Sequence, residues 1–361
     1  METKARLIAF YLPQYHPIPD NDKWWGQGFT EWTNVGKAKS LFRTHYQPRV
    51  PADLGYYDLR VPETRKAQAD MAREYGIEGF CYWHYWFGNG KRLLERPFNE
   101  VLTSCEPDFP FCLAWANETW KGFAHGLKNR NILIEQLYPG VDDYTAHFYE
   151  VLPAFKDKRY ITVEGKPLFM IYKPLENEEI LVFMETWRKL AFENGLSGVF
   201  FVGQNADLKF SADEILNKGF DGVNTVRLHN YQLNYRSMVS KIVKHLNKYL
   251  TGVPQVYSYK TVSKFFFDTK IDKSEKIFPT LITGWDHSPR SAREALVLTD
   301  YTPDNFESSV KEVMSIIKDK KKDNRLVFVK SWNEWAEGNY LEPDMRWGKR
   351  FLEVLKKYII I

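Results

Sequence analysis

The stretch Leu326-Val-Phe-Val-Lys-Ser331 decides the fold, because it is a short apolar run that leads directly into polar and aromatic residues. It is apolar on nearly every residue and rich in Val and Phe, which is typical of a strand buried on both faces of a parallel sheet. Seven similar runs precede it along the chain. They are residues 7–12, 79–84, 111–116, 168–172, 199–203, 222–225 and 278–283.

Amphipathic segments alternate with these eight runs. Residues 62–75 begin with Pro and precede Gly76, and residues 178–194 precede Gly195, which are signals of helix starts and ends. Further helix candidates are residues 144–155, 212–218, 262–267 and 303–318. The alternation predicts an α/β fold, a (β/α)₈ TIM barrel with long βα loops.

The chain shows no repeat and no low-complexity linker, so we expect one catalytic domain over residues 1–361. The long basic segment 230–276 predicts an insertion between the sixth and seventh strands. A doubly wound sheet gives a similar alternation. However, no predicted strand is followed by a Gly-x-Gly-x-x-Gly turn, so a dinucleotide site is unsupported.

Charge and cysteine content exclude several classes of protein. The 50 Lys and Arg residues against 46 Asp and Glu residues leave a net charge of +4, too small to indicate a nucleic-acid partner. The three cysteines have neither disulfide-framework nor zinc-site spacing. No apolar run approaches the ~20 residues of a spanning helix. The first residues also lack the apolar core of a signal peptide, so we expect a cytoplasmic enzyme without an integral membrane segment.

Aromatic residues make up 16% of the chain, with 12 Trp and 21 Tyr. Trp and Tyr carry polar tips that require partners, and a surplus of them predicts a cleft that stacks flat ligands such as sugar rings. Aromatic residues mixed with carboxylates and amides follow five of the eight predicted strands, at the end where barrel enzymes place their active sites. The candidate substrate-binding residues are Tyr15, His16, Trp25, Glu31, Trp32, Trp83, His84, Trp86, Asn117, Glu118, Trp120, Trp285, Asn333 and Trp335.

Some of these residues have an alternative structural role. Glu31 and Glu118 can bind sugar hydroxyls or brace a loop, and the two candidate histidines can donate to a hydroxyl or belong to the core. No group of His and Glu has metal-site spacing. Residues 20–22, Asp-Asn-Asp, have the form of a sugar-nucleotide transferase metal clamp, but their context favours an acidic turn. We therefore expect no metal or nucleotide cofactor.

The segment Asn333-Glu-Trp-Ala-Glu-Gly338 contains the candidate catalytic residues, Glu334 and Glu337. Glycosyl chemistry uses two carboxyl groups, one to protonate the leaving oxygen and one to act as base or nucleophile. Aromatic surroundings raise the pKa of a carboxyl group and keep it protonated near neutrality. The structural alternative is that these glutamates cap a helix or pair with Arg346.

Long motifs occur at residues 10–16, 24–35, 45–48, 53–60, 79–87 and 331–338. They resemble those of the WbsX family, usually labelled glycosyltransferases of lipopolysaccharide O-antigen or capsule loci. That family is in turn distantly similar to the family-99 glycoside hydrolases, which are endo-α-mannosidases and endo-α-mannanases with (β/α)₈ folds.

The resemblance implies a mechanism. Glu334 would remove the proton of the sugar 2-hydroxyl, which attacks its own anomeric carbon to form a 1,2-anhydro sugar. Glu337 would protonate the leaving group and then activate water. Tyr15, and either Trp83 or Trp86, match aromatic residues of the hydrolases. The chain departs from the hydrolases in the residues between the two glutamates and in the Asn-Tyr-Leu-Glu-Pro tail, so glycan identity is not carried over.

Three functions stay open at this point. The first is cleavage or transglycosylation of a bacterial surface polysaccharide by the two-Glu mechanism. The second is sugar-nucleotide-dependent glycosyl transfer in lipopolysaccharide biosynthesis. The third is non-catalytic glycan binding, which would not require both Glu334 and Glu337.

Overall fold

A computed structural model describes residues 2–122, 127, 130–206, 210–231 and 252–361. Within them, eight parallel strands pair in chain order, and the first also pairs with the last, so that the sheet closes into a barrel. The (β/α)₈ prediction is confirmed. The strands are β1 (Arg6–Tyr11), β2 (Gly79–Trp86), β3 (Phe111–Trp115), β4 (Lys166–Ile171), β5 (Phe200–Asn205), β6 (Gly222–Thr225), β7 (Ile277–Leu281) and β8 (Leu326–Val329).

Each observed strand overlaps its predicted run, because barrel strands are buried on both faces and retain their apolar character throughout. All four residues of β8 are fully buried, as are Leu7, Ile8 and Ala9 of β1. The register aligns Ala9 with Val329 and Ile8 with Gly79. Residues that follow the strands therefore emerge together at one end of the barrel.

Helices lie between the strands and within the loops. They are α1 (Pro19–Trp25), α2 (Glu31–Lys37), α3 (Pro62–Glu74), α4 (Arg96–Ser104), α5 (Val141–Phe155), α6 (Glu179–Glu193), α7 (Ala212–Asn217), α8 (Tyr259–Val262), α9 (Ser288–Ser291), α10 (Pro303–Ile317) and α11 (Arg350–Ile359). The helix predicted at residues 262–267 begins earlier, at Tyr259, and continues as a 3₁₀ turn over Ser263–Phe265. In the described residues, none of these helices is long and apolar enough to cross a bilayer.

The βα loops that surround the mouth of the barrel carry structure of their own. Helices α1 and α2 follow β1, and α9 follows β7. Short strands Gln255–Ser258 and Leu296–Thr299 pair in parallel beside the β7 loop. Of the predicted insertion 230–276, residues 232–251 lie outside the described part, and both this insertion and the single-domain organisation stay predictions.

Candidate active site

The chain turns sharply after β8, and this turn carries the two candidate catalytic residues. Glu334 ends a short strand, Asn333–Glu334, that pairs antiparallel with Asn339–Tyr340. Glu337 lies in the intervening 3₁₀ turn. Gly338 closes the turn with a φ of 60°, and a Cβ there would lie 2.7 Å from the Asp286 side chain and 2.8 Å from the Arg49 guanidinium. Glycine is therefore required for both backbone conformation and space.

The tight turn brings the two carboxyl groups into direct contact, and their pKa values move in opposite directions. Burial and the neighbouring Glu337 charge raise the pKa of Glu334 well above its ordinary range. Burial also opposes ionisation of Glu337, but Arg290, Lys330 and the hydrogen bond from Glu334 hold its pKa below the ordinary value. Burial therefore favours the protonated form of Glu334, and the neighbouring cations favour the carboxylate form of Glu337.

Arg290 of α9 links the pair to the loop after β1. Its Nη1 lies 2.6 Å from Glu337 Oε1, and its Nη2 lies 3.2 Å from Glu31 Oε1. Glu31 is only 3% exposed and also accepts a 3.3 Å hydrogen bond from Asn34. Glu31 therefore binds the arginine that keeps Glu337 ionised, and it braces this loop.

Three of the predicted substrate-binding residues support the turn from behind. Tyr15 is fully buried, donates its hydroxyl to the Asn333 carbonyl and accepts a 3.3 Å bond from the Trp335 amide. The Asn333 side chain bonds the backbone of Leu12 in both directions, at 2.8 and 3.1 Å. Trp335 stacks on Tyr340 with centroids 3.8 Å apart. All three are used in fixing β1 to the turn after β8.

The aromatic side chains of β2 lie on two different sides of the sheet, because successive side chains point to opposite faces of a strand. Trp83 is half-buried and stacks on Phe10 at 4.9 Å. The neighbouring Tyr85 has a raised pKa, caused by burial and then by the charge of Glu334, which places its hydroxyl toward the carboxyl pair.

His84 and Trp86 point outward, toward α5, so the expectation that they line the cleft is corrected. His84 Nε2 lies 2.8 Å from His147 Nε2, and the Trp86 ring lies parallel to the His147 ring at 4.4 Å. Trp86 also donates a 2.9 Å bond to Asp143. Burial lowers the pKa of His84 to about 3, so this pair is neutral and structural.

Residues after β3 and β4 form the opposite wall. Asn117 is buried and joins the two strand ends, donating to the Lys173 carbonyl at 3.0 Å and accepting from the Lys173 amide at 2.8 Å. Glu118 keeps 37% of its side chain exposed, and its carboxylate lies 3.9 Å from Lys173 Nζ. Burial and the charges of nearby glutamates, including Glu337, raise the pKa of Glu118. Glu118 and the carboxyl pair therefore occupy the same end of the barrel.

The remaining predicted residues are distributed around the mouth. Trp25 stacks on Phe29 at 4.7 Å, and Trp120 is 2% exposed and meets Tyr85 edge-on at 5.2 Å. Trp32 donates a 2.7 Å bond to the Tyr57 carbonyl and packs against Tyr15. Trp285 is half-buried, with Lys330 Nζ over its ring.

His16 does not join the carboxyl pair. It is 1% exposed, its Nδ1 lies 3.0 Å from the Pro13 carbonyl oxygen, and burial lowers its pKa. The charges that influence it belong to Asp58, Arg60 and Arg96, around α3 and α4 rather than in the cleft. Its role is therefore to pack the start of the loop after β1.

Several residues at the site were missing from the sequence-based selection. Arg290 bonds Glu337 at 2.6 Å, and Lys330 Nζ lies 3.9 Å from Glu334 Oε2. Burial and then the charges of nearby carboxylates, including Glu334, raise the pKa of Tyr85 and of Tyr172. Arg290 follows Gly284-Trp-Asp286 after the seventh predicted strand, and Lys330 lies at the end of the eighth. Position at a strand end is therefore an available signal for the two cations, which a restriction to aromatic, acidic and amide side chains passes over.

No cluster of three or more His, Cys, Asp or Glu side chains that could hold a metal ion is found in the described part of the chain. Residues 20–22 lie in α1, where Asp20 pairs with Lys91 at 3.0 Å and Asp22 accepts a 2.8 Å bond from the Gly28 amide. These two carboxylates thus stabilise α1 and the loop that follows it.

Comparison with known proteins connects this chain to a family. Residues 7–355 match the family described as glycosyltransferase WbsX. Two proteins named uncharacterized protein WxcX, from two strains of Xanthomonas campestris pv. campestris, are each 33% identical over 356 residues, or 98% of this chain. The alignment covers 49% of each relative, so the chain spans about half the length of the curated relatives it matches.

Solved structures resemble the chain in fold. A GH99 endo-alpha-mannosidase from Bacteroides thetaiotaomicron gives a TM-score of 0.54 at 14% identity, covering 98% of this chain and 95% of that one. A glycoside hydrolase-like protein gives a TM-score of 0.58 at 12% identity, covering 99% and 94%. At these identities the likeness demonstrates a shared barrel architecture and leaves activity open.

Proposed function

The chain belongs to the WbsX glycosyltransferase family, and from that premise we propose that it acts on glycosidic bonds of a bacterial surface polysaccharide through Glu334 and Glu337. The reaction is hydrolysis or transglycosylation, with the pair supplying both acid and base. The substrate is an oligo- or polysaccharide, and no metal or nucleotide cofactor takes part.

The observation that carries this proposal is the pair of carboxyl groups in the turn after β8, in which Glu334 is buried and Glu337 is bonded by Arg290. Glycosidic bond cleavage needs one carboxylic acid and one carboxylate at the same bond. Glu334 and Glu337 have that composition, because burial favours the neutral form of Glu334 while Arg290 binds Glu337 at 2.6 Å. A structural ion pair would not require the second, protonated glutamate.

The pKa directions of the two carboxyl groups are the reverse of the roles that the family resemblance implies for the reaction. In the anhydro-sugar mechanism Glu334 acts as base and Glu337 as acid, whereas here the pKa of Glu334 is raised and that of Glu337 is lowered. The direct hydrogen bond between the two carboxyl groups supplies the path for the exchange. We propose that the sugar 2-hydroxyl, on binding, shifts the proton from Glu334 to Glu337.

The family description favours a second candidate, sugar-nucleotide-dependent glycosyl transfer. In that reaction one carboxylate of the pair would deprotonate the acceptor hydroxyl, and the nucleoside diphosphate would leave without being protonated. The third candidate, glycan binding without catalysis, would leave the acid and base without a use.

The test incubates the protein with the surface polysaccharide of its source organism and, separately, with sugar nucleotides. Release of shorter oligosaccharides supports the proposal, and release of nucleotide supports the transferase. The double variant Glu334→Gln with Glu337→Gln serves as the control, since it keeps the side-chain shapes and cannot exchange a proton. If this variant still binds the glycan and the wild type shows no turnover, non-catalytic glycan binding is the remaining function.

A further inference from the structure

Lys330 directly follows β8 and places an ammonium group in the cleft. Its side chain is 19% exposed, and its Nζ lies 3.9 Å from Glu334 Oε2 and 5.1 Å from the centroid of the Trp285 ring. In the part of the chain that the structure describes, no acceptor lies within hydrogen-bonding distance of this Nζ. The ammonium is thus largely buried without an ionised partner in contact.

The other cations of the cleft are differently placed. Arg290 bonds two carboxylates, those of Glu31 and Glu337. Lys173 faces Glu118 at 3.9 Å and is 37% exposed, so water solvates it. The carboxyl group nearest to Lys330 is the one that burial keeps protonated. Removing a charge from water without pairing it costs free energy, which an anion brought by the ligand would recover.

Glu334 Oε2 is also buried and without a hydrogen-bond partner in the described residues. This oxygen lies 3.9 Å from Lys330 Nζ, which is too far for a hydrogen bond between them. Ligand oxygens placed about 2.8 Å from each of these two atoms would give both a hydrogen-bond partner. A sugar hydroxyl satisfies the carboxyl group, whereas only an anion satisfies both the geometry and the charge of the ammonium.

We propose that Lys330 recognises an oxyanion on the sugar whose hydroxyl meets Glu334, so that the enzyme selects an acidic saccharide over a neutral one. The inference rests on the proposed function, because it assumes that the sugar binds at the carboxyl pair. The carboxylate of a uronic acid and the diphosphate of a sugar nucleotide share this chemistry, and separate arms of the experiment distinguish them.

A different role for Lys330 makes a different prediction. In that role Lys330 serves only as counter-ion to Glu334, which is ionised once its proton has moved to Glu337, and it binds no anion of the ligand. Its removal would then slow turnover of acidic and neutral substrates equally, and it would leave the binding of both unchanged. Substrate selectivity therefore separates recognition of an anion from support of the carboxylate.

The experiment measures binding by calorimetry with three probes: methyl α-mannopyranosiduronate, methyl α-mannopyranoside and GDP-mannose. We expect the wild type to bind at least one anionic probe about tenfold or more tighter than the neutral glycoside, the range of a charge-assisted hydrogen bond. Lys330→Gln should abolish this preference, measured as the ratio of the dissociation constants of the neutral and anionic probes, and Lys330→Arg should retain most of it. Lys189→Gln, at an exposed position of α6, is the matched control.

Each outcome decides the question. Loss of uronate preference in Lys330→Gln identifies a carboxylate as the ligand group, and loss of GDP-mannose binding identifies the diphosphate. Equal binding of all probes by the wild type, binding of none, or a preference that survives in Lys330→Gln overturns the proposal. Glu334→Gln should keep the preference, since Lys330 remains. Turnover of the surface polysaccharide is measured separately, so a failed proposed function with intact anion preference is recognisable.

Discussion

The cleft and the layer directly behind it are built from the same kinds of residue and differ in whether their polar groups are satisfied. In the cleft, Glu334 Oε2 has no partner and Lys330 Nζ has no acceptor among the described residues. In the layer behind, Glu342 accepts bonds from Trp335 at 2.6 Å, Gln68 at 2.7 Å and Tyr57 at 2.9 Å. Polar groups whose hydrogen bonds are made within the protein hold the turn in place, and polar groups without such partners are available to a ligand.

The aromatic residues of β2 show the same difference between the cleft and its supporting layer within a single strand. Trp83 presents a partly exposed ring to the cleft, whereas Trp86 is 4% exposed, donates a hydrogen bond to Asp143 and stacks on His147. Residue type alone is therefore a poor indicator of function in this protein. The number of hydrogen-bond and stacking partners that a side chain has within the protein is a better indicator of function.

The largest effect is expected in the cleft. Glu334→Gln and Glu337→Gln should each lower turnover at least about a hundredfold, because general acid–base catalysis contributes roughly 10²–10⁴-fold. The unfolding temperature should change little. Glu337→Gln should be less damaging with a nitrophenyl leaving group, which needs little protonation, and a 2-deoxy substrate should be inert to the wild type. Equal losses on every leaving group, with normal turnover of the 2-deoxy sugar, would refute the anhydro-sugar mechanism.

Substitution of the two tryptophans of β2 tests whether the cleft and the layer behind it contribute differently to the stability of the protein. Trp86→Ala should cost about 3–5 kcal/mol of unfolding free energy, as for other buried aromatic residues, measured by chemical denaturation. Trp83→Ala should cost less stability and instead weaken saccharide binding, by roughly tenfold for a lost stacking contact. If Trp86→Ala weakens binding at unchanged stability, Trp86 belongs to the cleft after all.

A smaller effect is expected at Glu342. Burial raises its pKa to about 7, although its hydrogen-bond donors oppose the shift, so the folded state binds this proton more tightly than the unfolded chain, whose pKa is near 4.5. The stability that depends on this proton is present below pH 4.5 and is lost as the pH rises toward 7. Glu342→Gln should cost about 1–3 kcal/mol at pH 5.

The deficit of Glu342→Gln should shrink as the pH rises, because the amide does not titrate. Chemical denaturation of both proteins at pH 5 and 8 measures the change. Glu353→Gln, at an exposed position of α11, is the control. A deficit that is independent of pH would show that Glu342 is ionised in both states.

The smallest effect concerns the buried histidine pair. The pKa of His84 is lowered by burial to about 3 from 6.5, so the unfolded chain binds protons that the folded chain excludes. Stability should therefore fall as the pH drops below 6.5. His147→Phe keeps an aromatic ring against Trp86 and should cost about 1 kcal/mol at pH 7 for the lost bond to His84. Its unfolding temperature should fall less steeply between pH 7 and 4.5 than that of the wild type, and a parallel fall would assign acid sensitivity elsewhere.

The amino-acid sequence by itself determined the barrel, and all eight strands lie where short apolar runs predict them. Burial on both faces imposes that pattern locally, so neighbouring residues suffice to reveal it. It also determined that Glu334 and Glu337 follow the last strand. Helices α1, α2, α4, α9 and α11 escaped prediction. Of these, α1, α2 and α9 are too short, at 7, 7 and 4 residues, to show a helical period. Helix α11 does carry such a period, since Phe351, Leu355 and Ile359 are buried at a spacing of four, so its sequence could have revealed it.

Only the tertiary structure decided which residues of those loops form the site. Arg290 meets Glu31 across 259 positions of sequence, and no local pattern reports such a contact. Side chains alternate along β2, and only the closed barrel decided that His84 and Trp86 face α5. The raised pKa of Glu334 and the 3.9 Å separation of Lys330 from it follow from burial and distance, because electrostatic energy depends on separation in space rather than along the chain.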